Sequence, residues 1–275
     1  MTIATLSDVL TPAMVKGYAV AGLVVLGWED AVAYVEAAEE VGSPIILQAG
    51  PGFRKHMPIP VIGKMLRHLA EQSTVPIVIH IDHAYSIEEC QEAADCGFSS
   101  LMFDGSMHPI NKNIELTCKV VELAKRYNIS VEGEVGTVGY TNGAESTMTD
   151  PNEASKFQRE TLVDALAISI GNIHLQSHNS AKINYKLLSQ IEKLTSIPLV
   201  LHGGSGIIAS ERIYLAKRTK VKKINVGTEL RMSFGKAIRN YLTKNEAEFD
   251  KLKILSNAFL PVKEDTINLL RKFSA

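Results

Sequence analysis

Short, continuous apolar runs alternate along the chain with longer segments whose apolar positions recur every three to four residues. The runs at Tyr18–Val25, Pro44–Gln48, Pro76–Ile81, Ser99–Phe103, Ile129–Val135, Ala165–Ile170, Pro198–Leu201 and Lys223–Val226 read as strands. They lack a strict apolar–polar alternation, as expected of strands buried on both faces of a parallel sheet. Between them the period predicts helices over Glu29–Glu40, Pro60–Gln72, Ser86–Asp95, Asn111–Tyr127, Pro151–Arg159, Asn184–Leu194 and Ser210–Arg218. A further helix is predicted from Thr228 onward, and a final one over Lys263–Phe273. Eight strand–helix units predict an α/β fold, a single (β/α)8 TIM barrel rather than an open doubly wound sheet. No GxGxxG follows the first strand, which argues against dinucleotide binding.

Length and charge narrow the class. At 275 residues the chain suits one such barrel, and no linker-like stretch divides it, so residues 1–275 are read as one domain. A formal net charge of -1 leaves no electrostatic footprint for nucleic acid. No apolar run approaches the roughly 18 residues that span a bilayer. The N-terminal MTIATLSDVL has neither early basic residues nor a signal-like apolar core, so a cytoplasmic location is expected. Cys90, Cys96 and Cys118 are odd in number, form no CxxC pair and read as free thiols.

In this barrel class, chemistry sits where strands end at the C-terminal face. His83, His174 and His202 fall at the ends of three different strands, and three neutral imidazoles with an open fourth position suit a catalytic Zn²⁺. His80 and His178 are nearby competitors, whereas His56, His68 and His108 fall in loops or helices. Glu134 and Asp104 are candidate alternate ligands or partners that orient an imidazole. Asp82 reads equally as a proton shuttle or as such a partner. His202-Gly203-Gly204-Ser205-Gly206 and Asn225-Val226-Gly227-Thr228 follow the last two strands. There, glycines let backbone N–H groups approach an anion, and Ser205 and Thr228 can add hydroxyls. A phosphate site is therefore expected between these two loops.

Five motifs in order then carry a resemblance: HIDH at 80–83, DGS at 104–106, SVEGEVGTVG at 130–139, HGGSG at 202–206 and INVGTEL at 224–230. Together they resemble the class II fructose-bisphosphate and tagatose-bisphosphate aldolases. The resemblance implies Zn²⁺ on His83, His174 and His202, with Asp82 transferring the proton of the hydroxyl beside the broken bond. It implies a phosphorylated ketose as substrate, its phosphate on Gly203, Ser205 and Thr228 and a contact from Asn225. It also implies a homo-oligomer, dimer or tetramer, and a monovalent cation near the phosphate. Departures from the pattern cluster at the substrate. Gly22-Leu23-Val24 stands for Ala-Phe-Asn, Leu175 and Tyr140 each stand for a glycine, and Asn142 stands for an acid that Glu145 could replace. Arg54 and Lys55 are candidates for a second phosphate. The expected reaction is reversible retro-aldol cleavage to dihydroxyacetone phosphate and an aldehyde. An isomerase-like enzyme or a noncatalytic sugar-phosphate binder is the alternative.

Overall fold

The computed structural model describes residues 2–139, 146–178 and 181–273. Eight parallel strands form the barrel: β1 Val20–Val24, β2 Ile45–Ala49, β3 Ile77–Ala84, β4 Ser100–Phe103, β5 Ser130–Val135, β6 Ala165–Ile168, β7 Leu199–Leu201 and β8 Val221–Val226. Each pairs with its neighbours in sequence, and β8 returns to β1 through Gly22↔Asn225 and its flanking pairs, closing the sheet. A two-residue strand, Ile3–Ala4, lies beside the first residues of β3, before β4 joins at His80↔Ser100. Among the described residues no helix is long and apolar enough to cross a membrane.

The barrel interior changes chemistry from bottom to top. At the N-terminal end, Val20, Ile46, Val78, Met102, Ala167 and Val200 form an apolar cluster with Leu6, Val9, Leu10 and Ala13. Those last four belong to helix Leu6–Lys16, which stops the lower mouth. Thr5 and Asp8 close a capping box at its start, and Gly17 ends it in the left-handed region at φ 72°. Gln48 and His80, two residues beyond Ile46 and Val78, turn the interior polar, and Ser100, Glu132 and Lys223 join them; all five are fully buried. The main apolar core lies outside the barrel wall, between strands and surrounding helices.

Most expected helices appear within a residue or two of their sequence bounds. Two differ. The last helix begins at Lys251, not Lys263, and runs to Phe273 through Pro261. A proline costs a helix one N–H bond, but this helix packs on Trp28–Val41, where Lys263 meets Glu36 and Glu40. Tertiary contact thus overrides the local break. The short helix Pro51–His56, absent from the sequence reading, turns the chain at the end of β2.

Candidate active site

Three histidine rings meet at the upper mouth. The centroid of His83, on β3, lies 5.4 Å from that of His174 and 4.6 Å from that of His202; the latter two lie 5.4 Å apart. One nitrogen of each lies within 4.8 Å of the others, a spacing that could hold a metal ion. His83, Asp104 and Glu134 form a second such group that shares His83.

The ring partners fix which nitrogen each offers. His83 Nδ1 is 2.7 Å from Asp104 Oδ2, and His202 Nε2 is 3.1 Å from Glu132 Oε1. With those nitrogens engaged by carboxylates, the opposite nitrogens are the ones left to face a metal. His83 Nε2 and His202 Nδ1 are buried without hydrogen-bond partners among the described residues. Buried polar atoms are seldom left so, and a metal would complete them. The donor set therefore fits a Zn²⁺ ion, with carboxylates behind two of its imidazoles. His174 reaches the group from the loop after β6, its backbone N–H donating to Gly139 at 2.9 Å.

His83 occupies this place at φ 51°, left-handed for a non-glycine residue. The register between β3 and β4 slips between Ile81 and Ala84, and the His83 N–H reaches Met102 Sδ at 3.4 Å. This slip lets Asp82 and His83 both serve the mouth, although neighbouring strand residues normally face opposite ways.

Beneath the histidines runs a buried polar chain. Lys223 Nζ donates to Glu132 Oε2 at 2.6 Å and lies 3.1 Å from His80 Nε2, whose Nδ1 is 2.7 Å from Ser100 Oγ. His80 is thus engaged below the mouth. Asp82 accepts from Gln48 Nε2 at 2.7 Å and from Asn225 Nδ2 at 3.5 Å. A Cβ at Gly22 would fall 1.9 Å from Gln48 Oε1 and 2.5 Å from Asn225 Oδ1, so β1 needs glycine there.

Charge and burial oppose each other across the site. Burial alone would lower the His83 pKa, but Asp82, Asp104 and Glu134 raise it to about 9. Burial and the His83 charge take His202 down to about 3, and burial puts His174 well below its usual range. Burial and Asp104 push Glu134 to about 8. Asp82 is held below the ordinary carboxylate value: burial raises it, but the His83, His202 and Lys223 charges prevail.

Beside the histidines, the glycine loops converge as the sequence suggested. Gly203, Ser205, Asn225, Gly227 and Thr228 line one pocket with Asp82 and His174. Gly203 sits at φ 67°, and a Cβ there would fall 2.2 Å from the Ile173 carbonyl oxygen. Gly204 packs under Asn225, where a Cβ would meet the backbone oxygen at 2.7 Å. Thr228 opens helix Thr228–Lys244, and Ser205 Oγ accepts from the Glu229 N–H at 3.2 Å. Leu175, on the rim, holds φ 59°, a conformation that a glycine would adopt without strain.

Sequence reasoning gave no role to Glu132, Arg231 or Gln48. Arg231 lines the same pocket from the first turn of its helix, where acids rather than bases suit the dipole; that mismatch was the available signal. Gln48 gave none, because its bond to Asp82 depends on barrel closure. Lys55 is exposed. Arg54 is not directed at the pocket: its guanidinium bonds the carbonyl oxygens of Ala49, Asp82 and His83. Glu145, with Tyr140 and Asn142, lies outside the described residues.

The family model for class-II fructose-bisphosphate aldolase matches residues 4–275. Fructose-bisphosphate aldolase of Geobacillus stearothermophilus is 36% identical over 282 residues, covering 100% of this chain and 98% of its own. The 6-phospho-5-dehydro-2-deoxy-D-gluconate aldolase of Shouchella clausii (strain KSM-K16) is 36% identical over 276 residues, covering 98% and 94%. The crystal structure of the YdjI aldolase from Escherichia coli K12 superposes with a TM-score of 0.84 at 30% identity, covering 99% of this chain and 97% of that one.

Proposed function

The chain belongs to the class II fructose-bisphosphate aldolase family, and from that premise we propose that this aldolase uses Zn²⁺ on His83, His174 and His202 to cleave a phosphorylated ketose reversibly. The products are dihydroxyacetone phosphate and an aldehyde. The observation that carries the reading is the meeting of three imidazoles from separate strand ends, two with buried nitrogens lacking partners. Nothing among the relatives favours the isomerase or noncatalytic alternative.

A Zn²⁺ ion held by His83, His174 and His202 would supply Lewis acidity to the negative charge that develops as the bond breaks. The other steps fall to the chain itself. Asp82, whose pKa is held below the ordinary carboxylate value, takes the proton of the hydroxyl on the departing fragment and returns it in the aldol direction. Gln48 and Asn225 hold its carboxylate in place. Gly203, Gly204 and Gly227 let backbone approach the substrate phosphate, with Ser205, Thr228 and Arg231 adding polar contacts and Asn225 a contact to the sugar. Asp104 and Glu132 orient His83 and His202. Glu134 is the alternate ligand, and Glu145 is the candidate for the acid absent at Asn142. A monovalent cation belongs beside the phosphate, and a dimer or tetramer is the expected assembly. Free thiols and phosphorylated substrates favour the cytoplasm.

A panel of phosphorylated ketoses tests the reading, including fructose 1,6-bisphosphate and 6-phospho-5-dehydro-2-deoxy-D-gluconate, the substrate named for the Shouchella relative. Release of a triose phosphate, abolished by a chelator and restored by zinc, is expected with at least one of the ketose phosphates. Turnover that survives exhaustive chelation would overturn the metal assignment.

A further inference from the structure

We propose that Arg54 is a positioning residue that clamps the end of β3 and thereby holds His83 toward the metal; this rests on the zinc reading above. The ladder between β2 and β3 ends at Ala49↔Ile81, and the ladder between β3 and β4 slips just beyond it. The carbonyls at this break need donors from elsewhere. Helix Pro51–His56 carries Arg54 back over the gap. Nη1 donates to Ala49 O and to Asp82 O, each at 2.6 Å, and Nη2 donates to His83 O at 2.8 Å. Nε donates to Glu89 Oε1 at 2.7 Å, which fixes the plane of the guanidinium. Four of its five N–H groups are thus engaged, and the side chain is only 5% exposed.

These bonds act where the backbone is least favourable, since His83 stands at φ 51°. A left-handed non-glycine residue persists only when its surroundings over-determine it. Arg54 fixes the carbonyls of both Asp82 and His83 by way of a planar fork. Lysine cannot reproduce that fork, because a single ammonium does not span three oxygens. The same engagement takes Arg54 out of contention as a phosphate contact.

The test compares wild type, Arg54→Lys and Arg54→Ala, using the full chain stripped of metal. Zinc affinity is measured by competition with a chromophoric chelator, alongside kcat and KM after reloading. Both variants should bind zinc about ten- to hundred-fold more weakly than wild type. Their kcat should fall and KM should change little, and added guanidinium should restore part of the zinc affinity in Arg54→Ala. Arg54→Lys keeps a charge opposite Glu89, so it reports even where the alanine variant is poorly folded. Zinc affinity and kcat within twofold of wild type in Arg54→Lys would overturn the proposal. So would a raised KM with zinc affinity unchanged, the signature of a phosphate contact. Failure of the wild type itself to take up zinc would instead sink the metal reading, and the clamp with it.

Discussion

His83 and His202 offer the sharpest tests at the scale of single residues. Replacing either with alanine should abolish stoichiometric zinc, read by elemental analysis of dialysed protein; full zinc content would contradict the ligand set. Asp82→Asn keeps an acceptor for Gln48 but cannot take a proton. Its zinc content should match wild type while kcat falls by about 10²–10⁴. Leu175→Gly should be tolerated far better than most leucine losses, because Leu175 is half-exposed and holds φ 59°. Relief of that strain, on the order of 1 kcal/mol, and removal of a Cβ at the pocket rim should lower KM for a phosphorylated ketose by up to about tenfold. An unchanged KM would mean that Leu175 does not crowd the phosphate. At this scale the sequence shows functional groups but not their partners. His83, His174 and His202 were legible because strand ends must converge in a closed barrel. Asp104 behind His83 and Glu132 behind His202 follow only from register. Arg54 shows the limit most clearly: a loop arginine reads as a phosphate contact until its carbonyl partners are seen.

Elements were legible wherever the apolar pattern ran unbroken. All eight strands and the helices between them lie close to their sequence bounds, because buried parallel strands admit little polar interruption. Prolines obscured the rest. Helix Leu6–Lys16 has a capping box and a glycine stop, but Pro12 lies within it. Helix Lys251–Phe273 likewise runs through Pro261. The start of helix Trp28–Val41 yields a pH prediction. Half-buried Asp30 accepts the Leu26 N–H at 3.1 Å, yet burial raises its pKa to about 6. An acid with a raised folded pKa holds its proton more tightly in the native state. Its contribution is present at low pH and is lost as pH rises from about 4 to about 6. Asp30→Asn should therefore equal wild type in stability near pH 4 and exceed it by on the order of 1–3 kcal/mol at pH 7. Parallel urea-unfolding curves at the two pH values would show this, and a variant less stable than wild type at pH 7 would mean that the charge at the helix start outweighs its burial.

For the whole molecule, the barrel joins an apolar base to a polar mouth through one buried layer, and the Glu132–Lys223 ion pair is its centre. Both side chains are fully buried, and Glu132 also accepts from His202. Two opposing effects meet there. Burying the pair is costly, so its net stabilisation is small. Breaking it strands one charge in a dry interior beneath the site. Lys223→Met should therefore destabilise the fold by about 3–5 kcal/mol, whereas Glu132→Gln combined with Lys223→Met should recover most of that loss. In the double variant the side-chain amide at position 132 keeps an oxygen that can accept from His202 but loses the carboxylate charge, so its zinc affinity should not exceed that of Lys223→Met alone. Urea unfolding with chelator present keeps metal linkage out of the stability comparison, and zinc titration of the same proteins supplies the second readout. Additive losses in the double variant would show that the two residues act separately, and the polar layer would then be a set of local contacts rather than one coupled floor beneath the histidines.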